Sequence, residues 1–233
     1  MANADSAASP HASAPSPNGA PADGAAPALV PAPWALSGQA VVLLLRATAR
    51  RGGTPGLAGR FSAVAFVDYA TSGVGPYREL LHVPRVTRWS DAIGPTVAGI
   101  WVTTQASVVS GNHNWGLTKK LARIERERVG GGRPEHWIAE DEAGELGSLV
   151  HRPWGVPVPV GKPRAGGRLL QRRDGFAWAT PVSVFGLARP TSVWDVKLDA
   201  DRVTDLERHR IVAAFSITSG RMGFHAATIR PTT

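Results

Sequence analysis

Residues 60–86 read RFSAVAFVDYATSGVGPYRELLHVPRV. Arg60 to Tyr69 is dominated by Val, Ala and Phe with no Gly or Pro inside it, which is strand composition. Thr71-Ser72-Gly73 is a turn signal, and Arg78 to Val86 resumes the apolar pattern. The same strand–turn–strand reading recurs on both sides. Gln39–Thr48, Val97–Val109, Val156–Val160, Phe176–Leu187, Val193–Leu198, Arg210–Thr218 and Phe224–Ile229 are further candidate strands. Turn signals fall at Arg51-Gly52-Gly53, Gly130-Gly131-Gly132, Ala165-Gly166-Gly167 and Asp199-Ala200-Asp201. Many short strands at this spacing predict an all-β (mainly β) fold, an antiparallel barrel or cone, and not alternating strand and helix. Helical turns are expected only at His113–Leu121 and Val203–Arg208, and there is no internal repeat.

The first 33 residues are mostly Ala, Pro, Ser, Gly, Asn and Asp, without any Phe, Trp, Tyr, Lys or Arg. Such a stretch buries too little apolar surface to offset its ordering entropy and reads as a disordered tail over 1–33. It has neither the basic start nor the continuous apolar core of a signal peptide. Residues 34–233 are then one β domain, long enough for a single sizeable core. No apolar run approaches the roughly 20 residues that span a bilayer. With no cysteine the redox compartment cannot be read from disulfides, and the absence of a targeting signal makes the cytoplasm the expected location.

The chain carries a formal net charge of +8, and because the tail holds Asp5 and Asp23 and no base, the remainder carries +10. Lys119–Arg128 and Arg164–Arg173 are the basic runs a nucleic acid would contact. Acids interrupt them at Glu125, Glu127 and Asp174, and no nucleic-acid-binding motif is present, so no such partner is expected. A basic field does favour small carboxylates.

Positive charge is written as arginine almost everywhere: of 26 basic residues only Lys119, Lys120, Lys162 and Lys197 are lysine. Two of these four are adjacent, in Ser110–Glu125, SGNHNWGLTKKLARIE. Arginine stays protonated and is never a nucleophile, whereas a lysine amine loses its proton when desolvated or crowded by a cation. A solvated surface pair is the ordinary reading of a Lys-Lys dipeptide. The surroundings point elsewhere. Gly111, Trp115, Gly116, Lys119, Lys120, Leu121 and Ala122 resemble the active-site segment of the acetoacetate decarboxylase family, in which Gly-Arg-Glu leads through a glycine-containing turn to Pro-Lys-Lys. Ala40–Arg46 (AVVLLLR) resembles the family's early strand ending in arginine, and Gly75-Pro76-Tyr77-Arg78-Glu79 matches its Gly-Xaa-Tyr-Xaa-Glu segment. The blocks keep the family's order and spacing, and the resemblance covers roughly residues 40–190. Asn112-His113 stands where the family has Arg-Glu, and Thr118 where it has proline.

The resemblance implies the acetoacetate decarboxylase-like fold and a lyase that needs no cofactor. Lys119 would be the amine that forms a Schiff base with a small keto acid, since a lysine activated by desolvation or a neighbouring cation is the nucleophile of the enzyme that gives the family its name. Lys120, the neighbouring cation, would favour the free amine while pointing to the opposite face. The imine would serve decarboxylation, or aldolase or dehydratase chemistry. Arg46 would bind a substrate carboxylate, its other reading being a strand-closing surface residue. Glu79 would orient substrate or move a proton, the alternative being an exposed acid paired with Arg78 or Arg85. His113 would be a titratable donor in place of the family's glutamate, or a loop histidine. Trp101 and Trp115 would wall an apolar pocket, or belong to the core. A homo-oligomer is implied as well. A non-catalytic small-molecule-binding member of the same fold is the alternative. Histidines 11, 82, 136, 151, 209 and 225 show no paired ligand spacing, so no metal is expected. Gly-Xaa-Ser-Xaa-Gly and phosphate-loop motifs are absent.

Overall fold

The structure is a computed structural model that describes residues 27–48, 61–128 and 134–232, with the backbone alone at 128 and 162–165. The turn signals at 51–53 and 130–132, and the tail up to residue 26, lie outside the described residues. The strands in chain order are β1 (Trp34–Ala47), β2 (Phe61–Thr71), β3 (Tyr77–Val83), β4 (Arg85–Arg88), β5 (Ile93–Thr96) and β6 (Gly99–Val102). Helix α1 (Gln105–Trp115), the one helix among the described residues, follows, and then β7 (Lys119–Leu121), β8 (Arg123–Arg128), β9 (Glu135–Asp141) and β10 (Gly144–Pro153). The chain finishes with β11 (Val158–Arg173), β12 (Phe176–Leu198), β13 (His209–Phe224) and β14 (Thr228–Pro231).

The fold is mainly β, as its alternating apolar runs predict. Twelve strands form one sheet in the order β7-β6-β3-β2-β1-β13-β12-β10-β9-β8, with β11 and β14 also paired to β12, while β4 and β5 form a separate ladder. All ladders are antiparallel except β6 with β7. The expected barrel or cone is corrected in one respect: β7 and β8 end the path and do not pair, so the sheet curls without closing. Side chains bridge the seam instead, with Arg78 Nη1 of β3 donating to the Ile124 carbonyl of β8 at 3.0 Å.

Strand alternation gives the sheet two packed faces. Val41, Leu43 and Leu45 of β1, Val64 and Phe66 of β2, Leu80, Trp101, Ile124, Trp137 and Leu149 fill one. Ala65, Val67, Tyr69, Tyr77, Ile100, Val102, Trp115 and Leu117 fill the other, where α1 lies. Leu43, Leu80 and Phe66 are fully buried, and truncating any of them to alanine would cost about 2–5 kcal/mol.

Residues 97–109 do not form one strand. β6 stops at Val102, and Thr104, with extended φ and ψ, caps α1 by accepting from the Ser107 amide; Gly116, at φ 61°, ends it in the left-handed region. Two caps outweigh the β preference of Val108 and Val109. The helix therefore begins eight residues before the helical turn expected at His113, and Val203–Arg208 is turn without helix. Ala165-Gly166-Gly167 is no turn: β11 runs through it with a register shift between Lys162 and Gly167. The chain is also built in before residue 34, since Val30 donates to Ser110 Oγ at 3.0 Å and accepts from Asn114 Nδ2 at 2.8 Å. The boundary drawn at 33 thus falls inside the described structure. No helix among the described residues is long and apolar enough to cross a membrane.

Candidate active site at Lys119

Parallel pairing of Ile100 with Lys119, and antiparallel pairing of Val67 with Glu79 and Tyr69 with Tyr77, put these residues on the α1 face of the sheet. Small residues bring the helix down onto that face: Ser107, Ser110 and Gly111 are buried at helical i, i+3 and i+4 spacing. Gly111 is required by a close approach, because a Cβ there would lie 2.7 Å from Lys119 Cδ and Cε. The lysine stem runs under the helix toward its first turn.

Asn112 fixes the backbone from which that stem departs. Its Oδ1 accepts from the Lys119 amide at 2.6 Å and its Nδ2 donates to the Lys119 carbonyl at 3.1 Å. A residue that departs from the family pattern therefore does a definite job: it pairs with both main-chain groups of the lysine.

The amine end is enclosed, with 3% of the Lys119 side chain exposed. Nζ donates to Glu79 Oε2 at 2.9 Å, to Ser107 Oγ at 3.0 Å and to Tyr77 Oη at 3.4 Å, and it lies 5.0 Å from the Tyr77 ring centroid. Three ammonium protons thus meet three oxygens. Glu79 is 5% exposed, Tyr77 5% and Ser107 0%. Burial, with the Glu79 charge beside it, pushes the Tyr77 phenol well above its ordinary value, and burial does the same at Tyr69, whose ring lies 4.9 Å away. Both phenols stay neutral hydrogen-bond donors. The cluster supplies an amine, a carboxylate at proton-transfer distance and two neutral hydroxyls, in a space walled from water.

Of the residues singled out in the sequence, Lys119 and Glu79 come together. Lys120 is exposed, on the opposite face from Lys119 as alternation requires. Trp115 lies on the same face as the site, packed on Trp34 and Phe224 with its indole N–H given to the His225 carbonyl at 2.8 Å. Three expectations are corrected. Trp101 belongs to the other core, paired beside Leu80, and walls nothing near Nζ. His113 is exposed on the outer side of α1, lining a surface cavity of about 350 Å³ with Asn112, Arg173, Asp174, Phe176 and Trp178. Arg46 is exposed at the end of β1. It shares a face with Ala40, which pairs with Val67 beside Glu79, so its parity is the expected one. It is six residues further along, at about 3.3 Å each, so about 20 Å from the site.

Ser107 and Asn112 are the residues that sequence reasoning missed. Ser107 falls inside an expected strand, and the signal that would have found it is the Thr104-to-Gly116 capped frame, which turns 107 and 111 toward one side. Tyr77 lies within a matching block that gives it no role. No group of three or more His, Cys, Asp or Glu that could hold a metal ion occurs among the described residues.

A curled β-sheet carrying one helix, with a lysine–glutamate pair sealed between them, belongs to the acetoacetate decarboxylase-like class of folds. An acetoacetate decarboxylase-like enzyme from Sphingomonas wittichii RW1 superposes with a TM-score of 0.64 at 15% identity, over 87% of this chain and 94% of that one. Acetoacetate decarboxylase from Legionella pneumophila superposes with a TM-score of 0.62 at 12% identity, over 92% of each chain. The enduracididine biosynthesis enzyme MppR, complexed with the condensation product of pyruvate and imidazole 4-carboxaldehyde, gives 0.62 at 16% identity, over 86% of this chain and 90% of that one. No curated protein sequence matches. Residues 60–147, which hold Tyr77, Glu79, Ser107 and Lys119, match the family model described as acetoacetate decarboxylase (ADC). The chain thus has the acetoacetate decarboxylase-like fold, and over residues 60–147 it is similar in sequence to that family.

Proposed function

We propose that this chain is a Schiff-base-forming carbon–carbon lyase acting on a small keto acid through Lys119. The observation that carries the reading is the enclosed Lys119 amine held 2.9 Å from the Glu79 carboxylate. An ammonium is no nucleophile, and Glu79 is the adjacent group able to take its proton. The freed amine attacks the keto carbon, water leaves, and the protonated imine becomes the electron sink. With a β-keto acid, electrons of the bond to the carboxylate flow into the iminium and carbon dioxide departs. With pyruvate, loss of a methyl proton gives the same kind of enamine, which adds to an aldehyde. MppR, with pyruvate and a pyruvate condensation product in its complexes, supports the second substrate class at the level of fold.

A small keto acid as ligand, a homo-oligomer and a cytoplasmic location complete the proposal. Exposed Trp154, Val156 and Val158, ahead of and within β11, are the kind of apolar surface that a further copy of the chain would cover. A second reading, a non-catalytic binding member of the fold, is favoured by one observation: Arg46, the expected partner of a substrate carboxylate, is exposed at the end of β1, six residues along the strand from the level of Glu79.

Borohydride trapping separates the two. The protein is incubated with acetoacetate or pyruvate and reduced, and the modified peptide is located by mass spectrometry beside Lys119→Arg. A substrate-sized adduct confined to Lys119, absent from the variant, is expected. Folded protein that shifts its melting temperature with either keto acid yet yields no adduct identifies the binding member.

A further inference from the structure

We propose that Ser107 is a catalytic residue of imine formation, relaying a proton between the Lys119 amine and the oxygen of the substrate carbonyl. The inference rests on the Schiff-base reading and adds to it a residue that neither the sequence blocks nor the family resemblance singled out.

The geometry is specific. Ser107 Oγ lies 3.0 Å from Nζ, at the first turn of α1, and the residue is fully buried. Its amide is held by the Thr104 cap, at 3.1 Å from the carbonyl and 3.4 Å from Oγ1, so its place is set by the helix start. The Tyr77 phenol shares the same amine, its Oη lying 3.4 Å from Nζ. A buried hydroxyl that accepts from an ammonium keeps its own proton to donate, the requirement for a relay. Alanine there would remove an acceptor of the buried ammonium, so the serine does more than pack.

Attack of an amine on a carbonyl creates a problem that Glu79 alone does not solve. Once Glu79 has taken one proton, the neutral amine adds to the carbonyl carbon and leaves N⁺H₂ beside an alkoxide. One proton must move from that nitrogen to that oxygen, and the Ser107 hydroxyl, 3.0 Å from Nζ, is placed to carry it. Ser107 takes the nitrogen's proton on Oγ as it passes its own to the alkoxide, which gives the neutral carbinolamine. Glu79, now a carboxylic acid, returns its proton to the new hydroxyl, the carbon–oxygen bond breaks, and water leaves. The products are the protonated imine N⁺H=C, one water and the Glu79 carboxylate, so the three protons of the starting ammonium are all accounted for.

The experiment is the time course of imine formation in the full chain, quenched with borohydride at intervals after mixing with pyruvate and, separately, acetoacetate. Native protein, Ser107→Ala, Ser107→Gly and Ser107→Thr are compared, each checked for folding by circular dichroism and thermal melting. General acid–base assistance is worth about 10²–10⁴-fold, and the expected slowing for Ser107→Ala is about 100-fold, with the final adduct occupancy at Lys119 unchanged. Ser107→Thr, which keeps the hydroxyl, recovers most of the rate; Ser107→Gly, which adds no atoms to the buried site, carries the comparison where alanine fails to fold. The native rate falls in deuterium oxide, and the alanine variant loses that dependence. Native-rate adduct formation in Ser107→Ala, or a folded Ser107→Thr as slow as Ser107→Ala, overturns the relay while leaving the Schiff base standing. Absence of any Lys119 adduct in native protein overturns the Schiff-base reading itself, and the relay with it.

Discussion

Two buried ionic clusters occupy opposite faces of the same sheet, and their contents are nearly matched. Under α1, Lys119 meets Glu79, Ser107 and Tyr77. On the other face Arg126, an inward residue two positions after Ile124, meets Glu135 through Nε at 2.8 Å, Asp68 through Nη1 at 3.1 Å and Gln39 through Nη2 at 2.8 Å. Its guanidinium also stacks 5.0 Å from the Trp137 ring centroid, while His151 reaches Glu135 at 3.5 Å. Each cluster holds a buried cation against a carboxylate; loss of one partner costs about 3–5 kcal/mol for the sealed Lys119–Glu79 pair and less at Arg126, whose carboxylates are 22% and 28% exposed. The difference is the cation. Arginine fills a forked, multiply bonded site and keeps its proton, which makes a brace. Lysine offers one ammonium whose proton Glu79 can remove, which makes a reagent. A chain that writes nearly all its positive charge as arginine keeps a lysine at the position where the proton must leave.

Exchanging the two cation types breaks the comparison most sharply. Lys119→Arg retains a cation for Glu79 and is expected to abolish the trapped adduct entirely. Arg126→Lys is expected to leave trapping intact and to lower stability by about 3 kcal/mol, since hydrogen bonds to charged groups are worth about 1.5–3 kcal/mol each and one ammonium replaces at most part of the fork. Adduct yield by mass spectrometry and urea melts read the two outcomes. Adduct on Lys119→Arg, or loss of it in folded Arg126→Lys, would remove the division between brace and reagent.

Acid sharpens the same division from the side of the brace. Burial alone would raise the Glu135 carboxyl, but hydrogen bonds from His151 and Arg126, with their charges, hold it down at about 2. A depressed carboxylate contributes stability that is complete above its unfolded value near 4.5 and is lost as the pH falls from there toward 2. His82 adds an earlier window: burial, then the nearby His209 charge, lowers it from 6.5 to about 4, so the unfolded chain takes up its proton first and stability declines from pH 6.5 to 4. Thermal melts between pH 7 and 3 are expected to fall in both windows. Glu135→Gln should flatten the lower one and His82→Asn the upper. Melting temperatures that rise on acidification contradict both assignments.

How much of this is legible in the sequence follows from the same residues. Strand composition and turn chemistry foretell the mainly β fold because those signals are local, and short blocks single out Lys119 and Glu79 one by one without pairing them. Long-range register is not local. Arg46 has the right parity on β1, and only the pairing of Ala40 with Val67, and of Val67 with Glu79, reveals that it sits at the wrong level. Ser107 is hidden by β-branched Val108 and Val109, which read as strand until the caps at Thr104 and Gly116 are weighed together. The hairpin of β9 and β10 escapes sequence reading altogether: EHWIAED and GELGSLVHRP look polar, yet one side of them buries Trp137, Ala139 and Leu149. Charge on the outward positions masks a period of two.

The smallest effects expected belong to the residues that the fold places away from the amine. Arg46 and His113 are exposed and outside the Lys119 cluster, so Arg46→Ala and His113→Ala should each change stability by no more than about 0.5 kcal/mol, the ordinary range for surface substitutions. Neither should alter the rate or the yield of the trapped Lys119 adduct beyond twofold in a single copy of the chain. Arg46 is the more informative of the two. Sequence position makes it the carboxylate clamp, whereas the register sets its Cα six residues, about 20 Å, along β1 from the level of Glu79. A tenfold loss of adduct rate in folded Arg46→Ala would mean that Arg46 acts on an amine other than that of its own chain, with a neighbouring copy completing the site. Concentration dependence of the trapping rate would then tell that shared site from the self-contained one.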